Sequence, residues 1–288
     1  MRFRNLYYIC LRLSSFLFRK YYRNRLKVLA YHDIKDIEIF RTQLKYLKKK
    51  YNLIDLSSLE DFVNEKKALP ENSLLITFDD GDFSVLEKGL IVLSEENVPA
   101  VLFIVTGLID TNKDFWWSLV KDSMEHENYS NKEIQEEIRY LKNVSNQKRL
   151  KFLESIQSKS VRQLSKADLE VLNRNNIAIA NHSHTHPMFD KCTKDELNRE
   201  FQKSYKFFSN LGFGKKEVFA YPNGNFDISS EITLKKYGVN IAFLFDHKIN
   251  RKDFDPLKIS RIRVDSNFEI NEFISKVSGI HPFLFNLK

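Results

Sequence analysis

Residues 73–82 read SLLITFDDGD, and the fold turns on that decapeptide. Leu74-Leu75-Ile76-Thr77-Phe78 is an apolar run of strand length without polar alternation, which suits a strand buried on both faces in a parallel α/β sheet. The run ends in Asp79-Asp80-Gly81. Alone, that triplet is ordinary turn chemistry. It has a counterpart, however. A second apolar run, Ile177-Ala178-Ile179-Ala180, ends in Asn181-His182-Ser183-His184-Thr185-His186-Pro187. Three of the seven histidines stand there at alternate positions.

Working outward, strand-like and helix-like stretches alternate. A strand at 27–31 (KVLAY) ends at His32-Asp33. Phe40, Leu44 and Leu47 have helical spacing, a short strand covers 52–56, and Leu59, Phe62 and Val63 mark a helix that stops before Pro70. Leu86, Leu90 and Leu93 make the next helix, followed by a buried strand at 99–105. From about 110 to 165 the pattern pauses in a polar, helical insertion with Trp116-Trp117 near its start; it lacks the Pro and Gly of a linker. Alternation resumes with a helix opened by Ser165 and Asp168. Thr193 and Glu196 have capping-box spacing ahead of a helix carrying Leu197, Phe201, Tyr205 and Phe208. A strand at 217–221 ends in Pro222-Asn223-Gly224, a helix runs to about Tyr237, and strands at 239–245 and 258–264 close the series. Strict alternation implies parallel pairing with right-handed crossovers, and about seven or eight strands suffice for a barrel. The expected division is a basic amphipathic segment at 1–25, a barrel at 26–266 and a helix or tail at 267–288.

A chain of 288 residues with 42% hydrophobic content can bury a core, so wholesale disorder is excluded. The formal net charge of +8 points to acidic partners: phospholipid headgroups, anionic glycans or nucleic acid. Nucleic acid ranks last, because no RNA-binding signature or zinc-finger spacing is present. Cys10 and Cys192 give no disulfide framework. Near the start, residues 6–11 and 13–18 are mostly apolar but interrupted by Arg12, too short to span a membrane and without a small-residue cleavage site. Two readings stand: a helix lying in an anionic membrane interface, or an amphipathic helix packed on the domain. The expected location is the cytoplasm or the periphery of the cytoplasmic membrane.

The polar clusters all follow strands, and in α/β barrels the C-terminal strand ends converge on one face. His32-Asp33, Asp79-Asp80, His182 to His186 and Pro222-Asn223-Gly224 therefore belong at one mouth. Such a set allows metal-assisted hydrolysis. His182 and His186 with one carboxylate form a facial N, N, O set for a divalent ion, leaving positions for water and a substrate oxygen. A second carboxylate can take the water's proton, and Asp79 and Asp80 supply one of each.

At this point the chain resembles the polysaccharide deacetylases of carbohydrate esterase family four. Thr77-Phe78-Asp79-Asp80-Gly81 matches that family's TFDDG motif, and His182-Ser183-His184-Thr185-His186 its H-(S/T)-x-x-H motif. The resemblance covers about residues 27–264 and implies a distorted (β/α)7 barrel. It implies Asp79 as general base and Asp80, His182 and His186 as ligands of a divalent metal, zinc first. The family's R-x-P-Y motif is only partly present in Ala220-Tyr221-Pro222-Asn223, where the backbone N–H of Asn223 would serve as oxyanion donor. The family's late histidine is absent. A branch with an early Tyr-His pair and a late Arg-Ile-x-Val strand is similar in Tyr31-His32 and Arg261-Ile262-Arg263-Val264. That similarity makes His32 the candidate general acid and Arg261 the residue that pairs with and orients Asp79. His184 reads as a supporting residue or as an exchange with His182, and Trp116 and Trp117 as sugar-stacking or core residues.

The expected activity is removal of the N-acetyl group from an amino sugar in a surface polysaccharide or its lipid-linked precursor. Deformylation of a lipid-linked formamido sugar and a non-catalytic glycan-binding module are the alternatives.

Overall fold

The computed structural model describes residues 2–156 and 160–286. Residue 1 and residues 287–288, at the outer ends of the expected terminal segments, and residues 157–159 of the expected insertion lie outside that description.

The strands β1 (Lys27–Tyr31), β2 (Asn52–Leu53), β3 (Ser73–Phe78), β4 (Ala100–Ile104), β5 (Ile177–Asn181), β6 (Lys215–Ala220), β7 (Ile241–Phe243) and β8 (Ile262–Arg263) are all parallel. Their order is β7-β6-β5-β4-β3-β1-β8, with β2 attached beside β3. A bridge from Phe243 to Ile259, just ahead of β8, closes the seven-strand ring. The missing polar alternation is explained by two cores. Val28, Leu75, Val101, Phe103, Ala220 and Phe243 fill the barrel. Leu29, Leu74, Ile76, Leu102, Ile104 and Ile179 face outward beneath the helices.

The outer layer consists of α2 (Ile37–Lys50), α3 (Leu56–Glu65), α4 (Leu90–Glu95), α8 (Lys166–Arg174), α9 (Lys194–Leu211) and α10 (Ile228–Lys236). The Ser165/Asp168 and Thr193/Glu196 capping boxes both form. Between β4 and α8 the insertion folds as α5 (Trp116–His126), α6 (Asn131–Asn143) and α7 (Asn146–Leu153), with a core of Trp116, Val120 and Leu141 anchored to the barrel through Met188.

Three expected strands are shorter than their apolar pattern by three residues or more. The stretch at 52–56 gives only Asn52–Leu53, because the Asp55 side chain accepts from Ser58 N and caps α3. The strand expected at 239–245 is Ile241–Phe243, and that at 258–264 is Ile262–Arg263. There side chains take the backbone donors: Ser260 N donates to Asn250 Oδ1 and Arg261 N to Asp246 Oδ1.

The first helix, α1 (Arg2–Tyr21), lies against α11 (Ile270–Ser278) and α12 (Ile280–Phe285). Ser275 Oγ donates to Tyr8 O, and Phe18 meets Phe283 with ring centroids 5.5 Å apart. Its other face leaves Leu13 73% and Phe16 56% exposed. One face is packed on the domain, as the second sequence reading expected, and the other is open to solvent.

Candidate active site

Register sets the site. Lys27 pairs with Leu74 and Tyr31 with Phe78, so β1 and β3 end level and deliver His32 and Asp79 side by side. Ile104 pairs with Asn181, which brings the histidine loop to the same rim. The loops then turn sharply. Asp80, Ser183, His186 and Asn223 all have positive φ, at 72, 70, 54 and 57°. Asp and Asn tolerate that region, while Ser and His are held there at a cost.

Hydrogen bonds hold the histidine loop in place. His186 N donates to Ser183 Oγ (3.0 Å). Glu200, on α9, accepts from His184 N and Thr185 N (both 2.8 Å) and from Thr185 Oγ1 (2.7 Å). From the insertion, Arg149 Nη1 donates to the His186 carbonyl oxygen at 2.9 Å and Trp116 Nε1 to the same oxygen at 3.3 Å.

Asp80, His182 and His186 converge, with their ligand atoms within 4.8 Å of one another. Both Nε2 atoms lie 3.3 Å from Asp80 Oδ1. His182 Nδ1 contacts the Ala220 carbonyl oxygen at 2.8 Å; a carbonyl can only accept, so Nδ1 carries the proton and Nε2 is the ligand atom. Asp80 Oδ1 is buried without a hydrogen-bond partner. Burial alone would raise the Asp80 pKa, but the two imidazoles hold it below the usual carboxylate range. Burial likewise lowers the His186 pKa, to about 3, so its ring stays neutral and keeps a lone pair. For His182, burial is outweighed by Asp79 and Asp80, and its pKa is raised. One proton cannot satisfy two nitrogens and a carboxylate oxygen together, whereas a divalent ion can. The three residues fit such an ion.

Asp79 has a different environment. Its Oδ1 and Oδ2 accept from Arg261 Nη1 and Nη2 at 2.6 and 2.7 Å. Arg261 also donates to Thr77 Oγ1 and to the Leu244 carbonyl oxygen, and it is fully buried. Burial pushes the Asp79 pKa up, but Arg261 and then His182 more than offset it, and the net direction is down.

Above these groups lies a cavity of about 320 Å³, lined by His32, Asp79, Asp80, His182, His186, Asn223 and Phe245 from the barrel. Trp117, Ser118 and Lys121 of α5 and Gln135, Ile138 and Lys142 of α6 form its other wall. All seven candidate residues except Arg261 line this cavity, and Arg261 reaches it through Asp79. The Asn223 side chain accepts from Lys142 Nζ at 2.9 Å. His184 is not in the cluster: its Nδ1 faces Thr106 Oγ1 at 3.1 Å, so the exchange with His182 does not occur. Trp116 is core, whereas the Trp117 ring meets the His186 ring at 4.6 Å and lines the cavity. Sequence reasoning missed Lys142, Arg149 and Glu200. A signal for the first existed: Gln135, Ile138 and Lys142 recur at helical spacing, one face of α6 turned to the mouth.

A seven-stranded barrel with a metal-competent triad next to an arginine-clamped carboxylate belongs to the class of metal-assisted carbohydrate deacetylases. Residues 66–242 match the profile of the polysaccharide deacetylase family, and the chain belongs to that family, whose members are metal-dependent. Among relatives, it is 23% identical over 255 residues to the poly-β-1,6-N-acetyl-D-glucosamine N-deacetylase of Staphylococcus aureus (strain MRSA252), covering 84% of this chain and 71% of that one. The Staphylococcus epidermidis protein of the same name is 22% identical over 245 residues, with the same coverage. In fold the chain is similar to the Streptococcus pyogenes deacetylase PplD (TM-score 0.65, 13% identity, 88% of this chain and 98% of that one). It is also similar to IcaB from Ammonifex degensii (TM-score 0.62, 18% identity, 88% and 96%).

Proposed function

We propose that this protein is a metal-dependent N-deacetylase that hydrolyses the acetamido group of an amino sugar, in a surface polysaccharide or its lipid-linked precursor. The observation that carries the reading is the division of labour between adjacent carboxylates: Asp80 faces two imidazole nitrogens, and Asp79 faces a guanidinium. Binding a glycan needs neither group, which argues against a non-catalytic module.

Asp80, His182 and His186 would hold the ion, and two imidazoles with one carboxylate suit zinc first. When bound, the ion polarises the amide carbonyl and acidifies a water. Asp79 then accepts the water's proton at a carboxylate oxygen, with Arg261 fixing its orientation. The backbone N–H of Asn223 supports the developing oxyanion. His32, next to Asp79 at the rim, donates a proton to the departing amine, a poor leaving group without it. Phe245 packs edge-on against the His32 ring at 5.1 Å and restricts its orientation.

The test is product analysis with N-acetylated and N-formylated glucosamine oligosaccharides. Acetate release that Asp79→Asn abolishes is the expected result. Formate release alone would favour the deformylase, and glycan binding with no release of either would favour the binding module.

The reading extends to location, as peripheral contact with the cytoplasmic membrane. Among the described residues no helix is long and apolar enough to cross a membrane. The open face of α1 instead carries Leu13, Phe16, Leu17 and Tyr21, with Arg19 and Lys20 in its last turn, a composition suited to an anionic bilayer surface.

A further inference from the structure

Lys142 is a half-buried cation in the cavity wall whose hydrogen-bond partner is a neutral amide, Asn223 Oδ1. Among the described residues it enters no ion pair within 4.0 Å. The cavity's carboxylates are engaged elsewhere, Asp79 with Arg261 and Asp80 with the two imidazoles. Asp80, beyond ion-pair distance, attracts the Lys142 ammonium, and Arg263, which stacks on the Phe245 ring at 4.3 Å and donates to the Phe245 carbonyl oxygen, repels it. Lys121, on the same wall, is paired among the described residues only with the exposed Glu125, at 3.8 Å. Withdrawing an ammonium from water without a directly paired counter-ion is costly, and the like charge of Arg263 offsets part of the attraction from Asp80. The arrangement is complementary to an anion that arrives with the ligand.

We propose that the cavity takes an anionic acylamino sugar, whose phosphate or carboxylate oxygens meet Lys142 while its acetamido group lies over Asp79. The position of the acetamido group rests on the deacetylase reading; the preference for an anion does not. Phosphate and carboxylate share the recognising chemistry, and they differ in source: a sugar linked through phosphate to a carrier, or an acidic sugar of a polymer.

Trp117 lines the cavity, so tryptophan fluorescence of the metal-loaded full chain reports binding. The probes are N-acetylglucosamine, N-acetylglucosamine 1-phosphate and N-acetylmuramic acid. At least one anionic sugar should bind about ten-fold more tightly than the neutral one, and the tighter arm identifies the source. Lys142→Met should bring the ratio to about one without moving the thermal midpoint, and Lys142→Arg should preserve it. Equal affinity for neutral and anionic sugars in the wild type would overturn the proposal. So would a preference that survives in Lys142→Met, which would place the anion on the metal centre. Anion preference without acetate release from any sugar would overturn the deacetylase reading and leave this one standing. Acetate release without preference would do the reverse.

Discussion

Asp79 and Asp80 are adjacent in the chain, yet one oxygen pair meets a guanidinium and the other carboxylate meets two nitrogen lone pairs. Their substitutions should therefore separate. Asp80→Ala, His182→Ala and His186→Ala should each abolish metal retention, while Asp79→Ala keeps the ion and loses turnover. Elemental analysis beside acetate release checks this, and the opposite pattern would reverse the two roles. His32→Ala should keep the metal and lower kcat on an acetamido sugar by about 10²–10⁴, the usual worth of one positioned acid. An activated aryl acetate, whose leaving group needs no proton, should be hydrolysed nearly as before; equal losses on both substrates would remove His32 from proton transfer. Arg261→Met would strand a buried carboxylate and should cost about 3–5 kcal/mol in urea denaturation. In an Asp79→Asn background the same change should cost far less, since no charge is then left unpaired. Both motifs were legible in the sequence, because each follows a strand whose end must face the mouth, and the Arg261–Asp79 pair was legible through the family resemblance of Arg261-Ile262-Arg263-Val264. Lys142 was missed although it recurs with Gln135 and Ile138 at helical spacing: the periodicity marks a face of α6 but not what that face will meet.

At the scale of elements, legibility followed the local signals. Capping boxes and apolar runs located α8, α9 and β3 within a residue or two. The strand at 258–264 was overdrawn because Asn250 and Asp246 take the backbone donors of Ser260 and Arg261, a long-range choice invisible to periodicity. α1 shows the same limit, since its pattern is amphipathic whichever face is covered. Tyr8 and Ser15 are buried, so deleting residues 1–25 would uncover α11 as well as remove the open face. The cleaner experiment is Leu13→Glu with Phe16→Glu, at positions 73% and 56% exposed. Stability should stay within about 0.5 kcal/mol, as for other surface changes, while sedimentation with anionic vesicles falls. Unchanged vesicle binding would remove the membrane from the account of this helix.

For the whole molecule, acid stability depends on a histidine outside the active site. His247 is buried where the segment after β7 meets α12; its Nδ1 accepts from Arg263 N at 3.1 Å, so Nε2 donates to His281 Nδ1 at 2.9 Å. Burial, with Lys276, His281 and Arg263 nearby, lowers its pKa to about 3. The unfolded chain therefore takes up this proton first. The stabilising effect of a neutral His247 is complete above the unfolded value of about 6.5 and declines as pH falls from there toward the folded value. At pH 5 the loss should be about 2 kcal/mol. Asn accepts a left-handed backbone such as the φ of 57° here, and its Oδ1 can replace Nδ1 as acceptor. His247→Asn should accordingly lose less stability than the wild type between pH 7 and pH 5. His182 and His186 titrate in both proteins, so the difference between the two denaturation series isolates His247.

The ring of strands has a thin join. β8 is two residues long, and Ala242 N to Pro256 O (2.8 Å), Leu244 N to Ile259 O (2.8 Å) and Ile259 N to Ala242 O (2.9 Å) link the β7 side to the segment ahead of it. Arg261 crosses that join with one side chain, tying the Leu244 carbonyl to Thr77 on β3 and to Asp79 just beyond it. A fluctuation that parts the join therefore also releases the carboxylate. In native-state hydrogen–deuterium exchange, the Leu244 and Ile259 amides should report the opening equilibrium of this join, and with it the fraction of time Asp79 is out of alignment.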